Sequence, residues 1–472
     1  MLIRKGQILG RLGLCHQINF IRWSRCCIMA RKKTVPSGLR IKDLSFSGVP
    51  VRVYEPTAAS GEKKRGLVYF HGGGWMFGCI DDYNEVCQYI SLESDTIVVS
   101  VGYRLAPEHR YPAHLDDCEV VTRHFLSIAA TDFGVDPRRL AVGGDSAGAN
   151  LAAALCQRLS KTQDCHLPSP CAQVLIYPAL QMADFHLPSY QQNHSVPILF
   201  RGRAVFYFLQ YLNGNTSVSQ QILEGKHVPV ELKRRYKKWL DPDNLSPQFR
   251  KGARSPQVIP SHDGHVYHII KQGLDPEISP LLAEDDVLHL APPTFVLTCE
   301  FDVLRDDGIL FCKRLKDAGV EVTWEHLSDG FHGIISFFNQ GWLTFQSSRK
   351  VHSGLRDGEQ QLQDGLHAPQ VTQAQCCHVP KGSSQLRGPP TNFGLAESWR
   401  AHMEQQRAVV PALSEYRASY PLHPIGAFCY SRHVSMPKRF SSSQHPAKHS
   451  NEDLALKPRP CRQVSTNPAS LL

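Results

Sequence analysis

Residues 136–159 read DPRRLAVGGDSAGANLAAALCQRL. A short apolar run enters a pair of glycines and leaves as an alanine-rich stretch with helical spacing, with no room for a loop between. A strand that turns this sharply into a helix predicts a βα unit of a parallel sheet. At the corner stands Gly144-Asp145-Ser146-Ala147-Gly148. A nucleophilic serine has to be lifted clear of a sheet on such a corner, which crowds its neighbours and demands small residues two before and two after it. Gly144 and Gly148 meet that demand, and the corner aims the free N–H groups of the helix start at Ser146. The competing reading, a glycine turn with an incidental serine, is disfavoured by the strand before it and the helix after.

Outward from this corner the same rhythm recurs. GLVYFHGGGW (66–75) and TIVVSVGYRLAPEH (96–109) are β-branched or apolar runs that end in turns, and residues 113–130 carry apolar side chains at helical spacing. QVLIYPAL (173–180), PTFVLTCEFD (293–302) and VEVTWEHL (320–327) predict three more strands, with a helix over 308–319. LRIKDLSFSGVPVRVYEP (39–56) alternates as two short strands. Strands alternating with helices predict an α/β fold whose mostly parallel sheet is covered on both faces. Residues 181–290 break the rhythm and are too long for a connector, so they are expected to form a cap over the sheet.

Composition bounds what remains. The chain has 472 residues, 42% hydrophobic and 20% charged, which excludes a collagenous, wholly disordered or small disulfide-held protein. Its net charge of +9 sits at the ends: residues 1–33 carry eight Lys/Arg and no acid, residues 344–472 carry fifteen basic against eight acidic side chains, and 34–343 are left at −6. No nucleic-acid partner is therefore expected of the middle. The fifteen cysteines include no CxxC pair, and neither a metal nor another cofactor is expected. Sequons at Asn193, Asn215 and Asn244 are compatible with a secretory compartment. The basic segment 1–38 is interrupted by Arg4, Lys5, Arg11, Arg22 and Arg25, too often to span a bilayer. It reads as a cap helix or leader, with membrane-surface association and acylation of Cys26 and Cys27 as the alternative. Residues 344–472, rich in Ser, Gln, Gly, His and Pro, read as a disordered polar tail with at most an isolated helix near ESWRAHMEQQRAVVPAL.

Two further motifs carry chemistry. His71-Gly72-Gly73-Gly74 follows the strand VYF, and a loop without side chains offers backbone N–H groups to the oxyanion of an acyl transfer. Gly72, Gly73 and Ala147 are the expected donors, with Gly74 completing the motif. A phosphate loop would want Lys-Ser/Thr next, and none follows. His71 is expected to order the loop by hydrogen bonding. A serine hydroxyl also needs an imidazole to take its proton and a carboxylate to fix that imidazole's tautomer. His332, in Asp329-Gly330-Phe331-His332-Gly333, and Asp302, at the end of FVLTCEFD, stand downstream in the order Ser, Asp, His. Glu300 lies inside the strand, Asp306 and Asp307 read as first-turn acids of the next helix, and Asp329 is a further competitor.

HGGGW, YRLAPEHRYPA, GDSAGAN, FDVLRDDG and DGFHG together resemble the arylacetamide deacetylase family, within the hormone-sensitive-lipase-like group of α/β hydrolases. LPSYQQNHSVPIL and VPVELKRRYKKWLDPDNL are most similar to its like-4 branch, with the like-3 branch near. The resemblance implies an α/β-hydrolase fold over 39–343 and a serine esterase of hydrophobic esters or amides, held at the luminal side of the endoplasmic reticulum membrane. It also implies that Ser146, Asp302 and His332 form the catalytic triad, with His71, Gly72 and Gly73 in the oxyanion-hole sequence. In the family a cysteine follows the tryptophan of HGGGW and pairs with one at the position of Cys299. This chain has Met76 there, and Cys79 is the expected substitute. After DGFHG the family continues into an apolar helix packed on the sheet, whereas here the text turns polar at about Ser347. A hydrolase-fold binding protein unable to assemble its site is therefore the rival expectation to an esterase. Oligomeric state is not legible.

Overall fold

The computed structural model describes residues 18–20, 22, 35–58, 63–162, 167–196, 198–252 and 261–337. The chain divides into two units, Met1–Gln375 and Cys376–Leu472, and every described residue lies in the first. Cys26, Cys27, the polar tail and its candidate helix lie outside the described residues, as does the point near Ser347 at which the sequence turns polar.

Eight strands form one sheet: β1 (Leu39–Phe46), β2 (Val49–Pro56), β3 (Lys64–Phe70), β4 (Thr96–Val101), β5 (Val135–Asp145), β6 (Ala172–Ile176), β7 (Thr294–Phe301) and β8 (Val322–Phe331). Their order is β1-β2-β4-β3-β5-β6-β7-β8. β1 and β2 form an antiparallel hairpin whose second strand pairs antiparallel with β4, and all pairs from β4 to β8 are parallel. The β-branched run TIVVSV of β4 is buried at every position, as a strand covered on both faces requires. Along β3 the side chains alternate: Leu67 and Tyr69 join the apolar cluster on one face, Val68 and Phe70 the cluster on the other.

Helix α1 (Asn84–Ser94) packs on the first face through Val86, Cys87 and Ile90. Helices α2 (Ala113–Asp132), α3 (Ala147–Lys161) and, from the far end of the chain, Arg305–Asp317 cover the second. That last helix starts at Arg305, ahead of the expected 308, because Asp306 and Asp307 lie in its first turn. The insertion 181–290 contributes α4 (Arg201–Leu212) and α5 (Val230–Leu240), with several shorter turns of helix. Val205, Phe208 and Leu209 of α4 belong to the same apolar cluster as Val68 and Val142 of the sheet, so the insertion shares the sheet's core. Among the described residues no helix is long and apolar enough to cross a membrane.

Strand β8 runs on through Asp329-Gly330 to Phe331, past the expected end at Leu327, across a register shift opposite β7 between Cys299 and Phe301. The consequence is positional. His71, Ser146, Asp302 and His332 are each the residue that directly follows a parallel strand, β3, β5, β7 and β8 respectively. All four therefore stand at the carboxyl edge of the sheet, where open α/β sheets gather ligands. Cys299 is a buried free thiol, so the expected Cys79–Cys299 disulfide does not form. Cys299 points into the sheet's apolar cluster with Leu327 and Ile334 instead.

Candidate active site

Ser146 has φ +54 and ψ −114, a left-handed conformation that a side chain rarely adopts. It is held there by its amide, which donates to the carbonyl of Ile176 at 2.8 Å, and by the approach of β3 beneath the turn. A methyl group on Gly148 or on Gly144 would overlap the carbonyl oxygen of Phe70. The small residues are thus a requirement of the close approach, and the approach is what raises Ser146 above the sheet.

The Ser146 hydroxyl lies 2.9 Å from His332 Nε2, and His332 Nδ1 lies 2.8 Å from Asp302 Oδ2. A carboxylate only accepts, so Nδ1 carries the hydrogen and Nε2 is left to accept from the hydroxyl. Asp302 is fully buried, and its second oxygen accepts from the amide of Leu304 at 2.9 Å. Tyr177 lays its ring against His332, 4.9 Å between centroids. The competing carboxylates are engaged elsewhere. Glu300 pairs with Arg305 at 3.0 Å and with His326 at 3.1 Å. Asp306 pairs with Arg305 at 2.9 Å, while Asp307 accepts from Gln181 at 3.1 Å and Tyr190 at 3.1 Å. Burial raises the carboxyls of both Asp306 and Asp307 above the ordinary range. Asp329 is exposed.

The glycine loop departs from expectation at one position. The amide of Gly72 donates to Asp145 Oδ1 at 2.8 Å and is spent inside the protein. Gly74, with Gly73, lines the cavity beside Ser146. Among the described residues the amides of Gly73, Gly74 and Ala147 donate to no protein group. Gly72 therefore leaves the expected donor set and Gly74 enters it. Gly73 and Gly74 have φ of +118 and +62, which only glycine adopts freely in succession. Buried His71 sits between the rings of Tyr83 and Tyr103 and bonds through Nδ1 to the carbonyl of Gly72 at 2.8 Å, and the Tyr103 hydroxyl donates to its backbone oxygen at 2.6 Å.

A cavity of about 130 Å3 opens over Ser146 and His332. Its wall is largely apolar: Trp75 and Phe77 from the glycine loop, Leu199, Tyr207 and Phe208 from the insertion, and Leu304 beside Asp302. The insertion thus supplies part of the wall, and no described residue of the N-terminal segment lines it. That segment touches the same loop from outside: Arg22 Nε donates to the carbonyl of Met76 at 2.6 Å, and Arg22 pairs with Glu108 at 2.9 Å. Among the described residues no cluster of three potential metal ligands occurs.

Two contributors escape sequence reading. Asn193, flagged only as a sequon, is buried and donates both amide hydrogens to backbone carbonyls flanking the acid, Glu300 and Asp302, each at 3.0 Å. Asp145, seen only as part of a small-residue corner, is the acceptor for Gly72. No local pattern announces either, because both contacts join segments more than 70 residues apart.

Comparison with known proteins places the chain among the alpha/beta hydrolases. Residues 67–227 and 264–336 match the family described as alpha/beta hydrolase fold. The human protein arylacetamide deacetylase-like 4 is 41% identical over 350 residues, covering 74% of this chain and 84% of the relative. Neutral cholesterol ester hydrolase 1 of Rattus norvegicus is 40% identical over 341 residues, covering 70% and 82%. Among solved structures, an esterase of Pyrobaculum calidifontis superimposes with a TM-score of 0.54 at 26% identity, covering 76% of this chain and 97% of that one. Residues 368–441, within the polar tail, match a second family, described as cilia and flagella associated protein 107.

Proposed function

The chain belongs to the arylacetamide deacetylase family of α/β hydrolases, and on that premise we propose that it is a serine esterase of hydrophobic carboxylic esters. The observation that carries the reading is the unbroken hydrogen-bonded relay from the Ser146 hydroxyl through His332 to buried Asp302. In the proposed reaction Ser146 Oγ attacks the ester carbonyl while His332 Nε2 takes its proton. Asp302, accepting from Nδ1–H, holds the tautomer and stabilises the imidazolium. The carbonyl oxygen becomes an oxyanion against the amides of Ala147, Gly73 and Gly74, each such donor lowering the barrier by about 2.7–4 kcal/mol. His332 then gives its proton to the leaving alcohol. Water, deprotonated by the same imidazole, attacks the acyl-serine and releases the acid.

Apolar walls around Ser146 support a lipophilic substrate, as do the names of relatives, which speak of deacetylation and of cholesterol ester hydrolysis. Reaction with a fluorophosphonate probe tests the reading: the folded chain should label, and Ser146→Ala should not. Absence of labelling on the folded protein would favour the rival, a hydrolase-fold binding protein. Hydrolysis of p-nitrophenyl esters of increasing acyl length then grades the substrate.

A second reading concerns address. The expectation from the family is the luminal side of the endoplasmic reticulum membrane, whereas the likeness of residues 368–441 to a cilia and flagella associated family argues for a ciliary location of this particular chain. Imaging the tagged full chain beside tagged residues 1–343 in ciliated cells separates the two. Ciliary signal that disappears with the tail supports the tail as an address, and reticular signal for both supports the family expectation.

A further inference from the structure

We propose that Asp145 is the positioning residue of the oxyanion loop: its carboxylate ties Gly72 to the nucleophile turn and thereby sets where the Gly73 and Gly74 amides stand relative to Ser146. The proposal rests on the esterase reading above.

The backbone pairing of β3 with β5 ends at Phe70 opposite Gly144. Beyond that point β3 runs into the glycine loop and β5 into the serine turn. The Asp145 side chain bridges the gap, Oδ1 accepting from the Gly72 amide at 2.8 Å. Three tyrosine hydroxyls complete its shell: Tyr69 at 3.0 Å on Oδ1, and Tyr83 at 2.9 Å and Tyr177 at 3.4 Å on Oδ2. Asp145 is 2% exposed, and among the described residues its carboxylate is held by four neutral donors and by no cation at bonding distance.

These donors come from every side of the site. Tyr83 leads into α1, Tyr69 lies in β3, and Tyr177, just past β6, is the ring that rests on His332. The fit is close, since a methyl on Gly72 would overlap the carboxylate. A hydroxyl can turn and accept, but a backbone N–H can only donate. The Gly72 bond is therefore the one that requires an acceptor at position 145. An ionised acceptor makes such a bond roughly twice as strong as a neutral one. Burial raises the Asp145 carboxyl above its ordinary range, and Tyr83, Tyr69 and Gly72 oppose that rise.

The test uses the full chain with Asp145→Asn and Asp145→Leu. Fluorophosphonate titration counts competent sites, kcat and KM are measured on p-nitrophenyl butyrate, and Ki is measured for a trifluoromethyl ketone, whose adduct carries the oxyanion. A displaced oxyanion loop weakens transition state and adduct alike. Asp145→Leu is expected to lower kcat per titrated site by about 100-fold and raise Ki by the same factor, with KM little changed. Asp145→Asn, which keeps one oxygen for Gly72, should show the same matched loss at about 3–10-fold. If the leucine variant fails to fold, the asparagine variant decides. The proposal is overturned by a folded variant whose per-site kcat and Ki stay within about 2-fold of the parent, or whose kcat falls while Ki does not. A parent chain that neither labels nor hydrolyses the ester overturns the esterase reading itself, and with it this one.

Discussion

Asn193 holds Asp302 by its backbone: the buried side-chain amide donates to the Asp302 carbonyl at 3.0 Å and, with its other hydrogen, to that of Glu300 at 3.0 Å. Asn193 belongs to the insertion between β6 and β7, so the part of the chain that walls the cavity also steadies the residue that orients His332. The same bonds exclude the sequon reading at this position, because a nitrogen used twice and 6% exposed offers nothing for a glycan.

Asn193→Ala should therefore deprive the part-buried Glu300 carbonyl of this donor and leave the Asp302 carbonyl only the Arg305 amide at 3.3 Å, costing about 1–3 kcal/mol of stability in all and slowing the enzyme by loosening Asp302. Urea unfolding and steady-state kinetics measure the two effects. Peptide mass spectrometry of protein from a secretory host should find position 193 unmodified, and a glycan there would contradict the bonding described.

Two histidines away from the reaction set an acid limit on stability. His114 and His227 are buried, each donates Nε2–H to a backbone carbonyl, Trp75 and Met182 respectively, and burial lowers both from 6.5 to about 4. Between about pH 4 and 6.5 the unfolded chain takes up protons that the folded chain does not. Stability therefore falls as pH drops through that window, and above it this source contributes no slope. The loss should reach about 2–3 kcal/mol per histidine near pH 4.5, read from urea midpoints. His227→Gln should remove part of the slope, and stability unchanged between pH 7 and 4.5 would refute the assignment.

The corner glycines admit no side chain. Gly148→Ala brings a methyl into the carbonyl of Phe70, with backbone on both sides of the clash and no flexible group to yield. The expected cost is about 3 kcal/mol or more, with loss of fluorophosphonate labelling in whatever remains folded. A variant of parental stability and labelling would show the turn to be looser than described.

Arg305 is 1% exposed and pairs with Asp306 at 2.9 Å and Glu300 at 3.0 Å, while its other nitrogen donates to Gln192 at 2.7 Å and to the carbonyl of Phe249 at 3.0 Å. Arg305→Met leaves Asp306 buried without its cation. Removing one member of such a pair costs about 3–5 kcal/mol, which thermal or urea denaturation will register.

Ser146, His332 and Asp302 were legible because each sits in a local context with its own physical signature: a strand-to-helix corner, a small-residue loop after a strand, and a strand end. The boundary of β8 was less so. Its last residues, Asp329-Gly330-Phe331, carry a turn-like sequence, yet pairing with β7 across an irregular register keeps them in the sheet. Gly72 shows the other kind of failure. A run of three glycines says that backbone amides are accessible but not which way each one faces, and Asp145, 73 positions away, decides that.

What sequence alone determined here is whatever neighbouring residues impose on one another: the alternation of strand and helix, the glycines that let β3 pass beneath the serine turn, and the order in which hydroxyl, carboxylate and imidazole arrive. Tertiary structure alone decided which amides remain free for an oxyanion, that Asn193 serves the acid rather than a glycan, and that Cys299 stays a thiol. Hydrogen-bond donors and acceptors are satisfied by whatever the packed chain brings within about 3 Å, and that proximity is a property of the sheet's assembly that no stretch of the chain carries on its own.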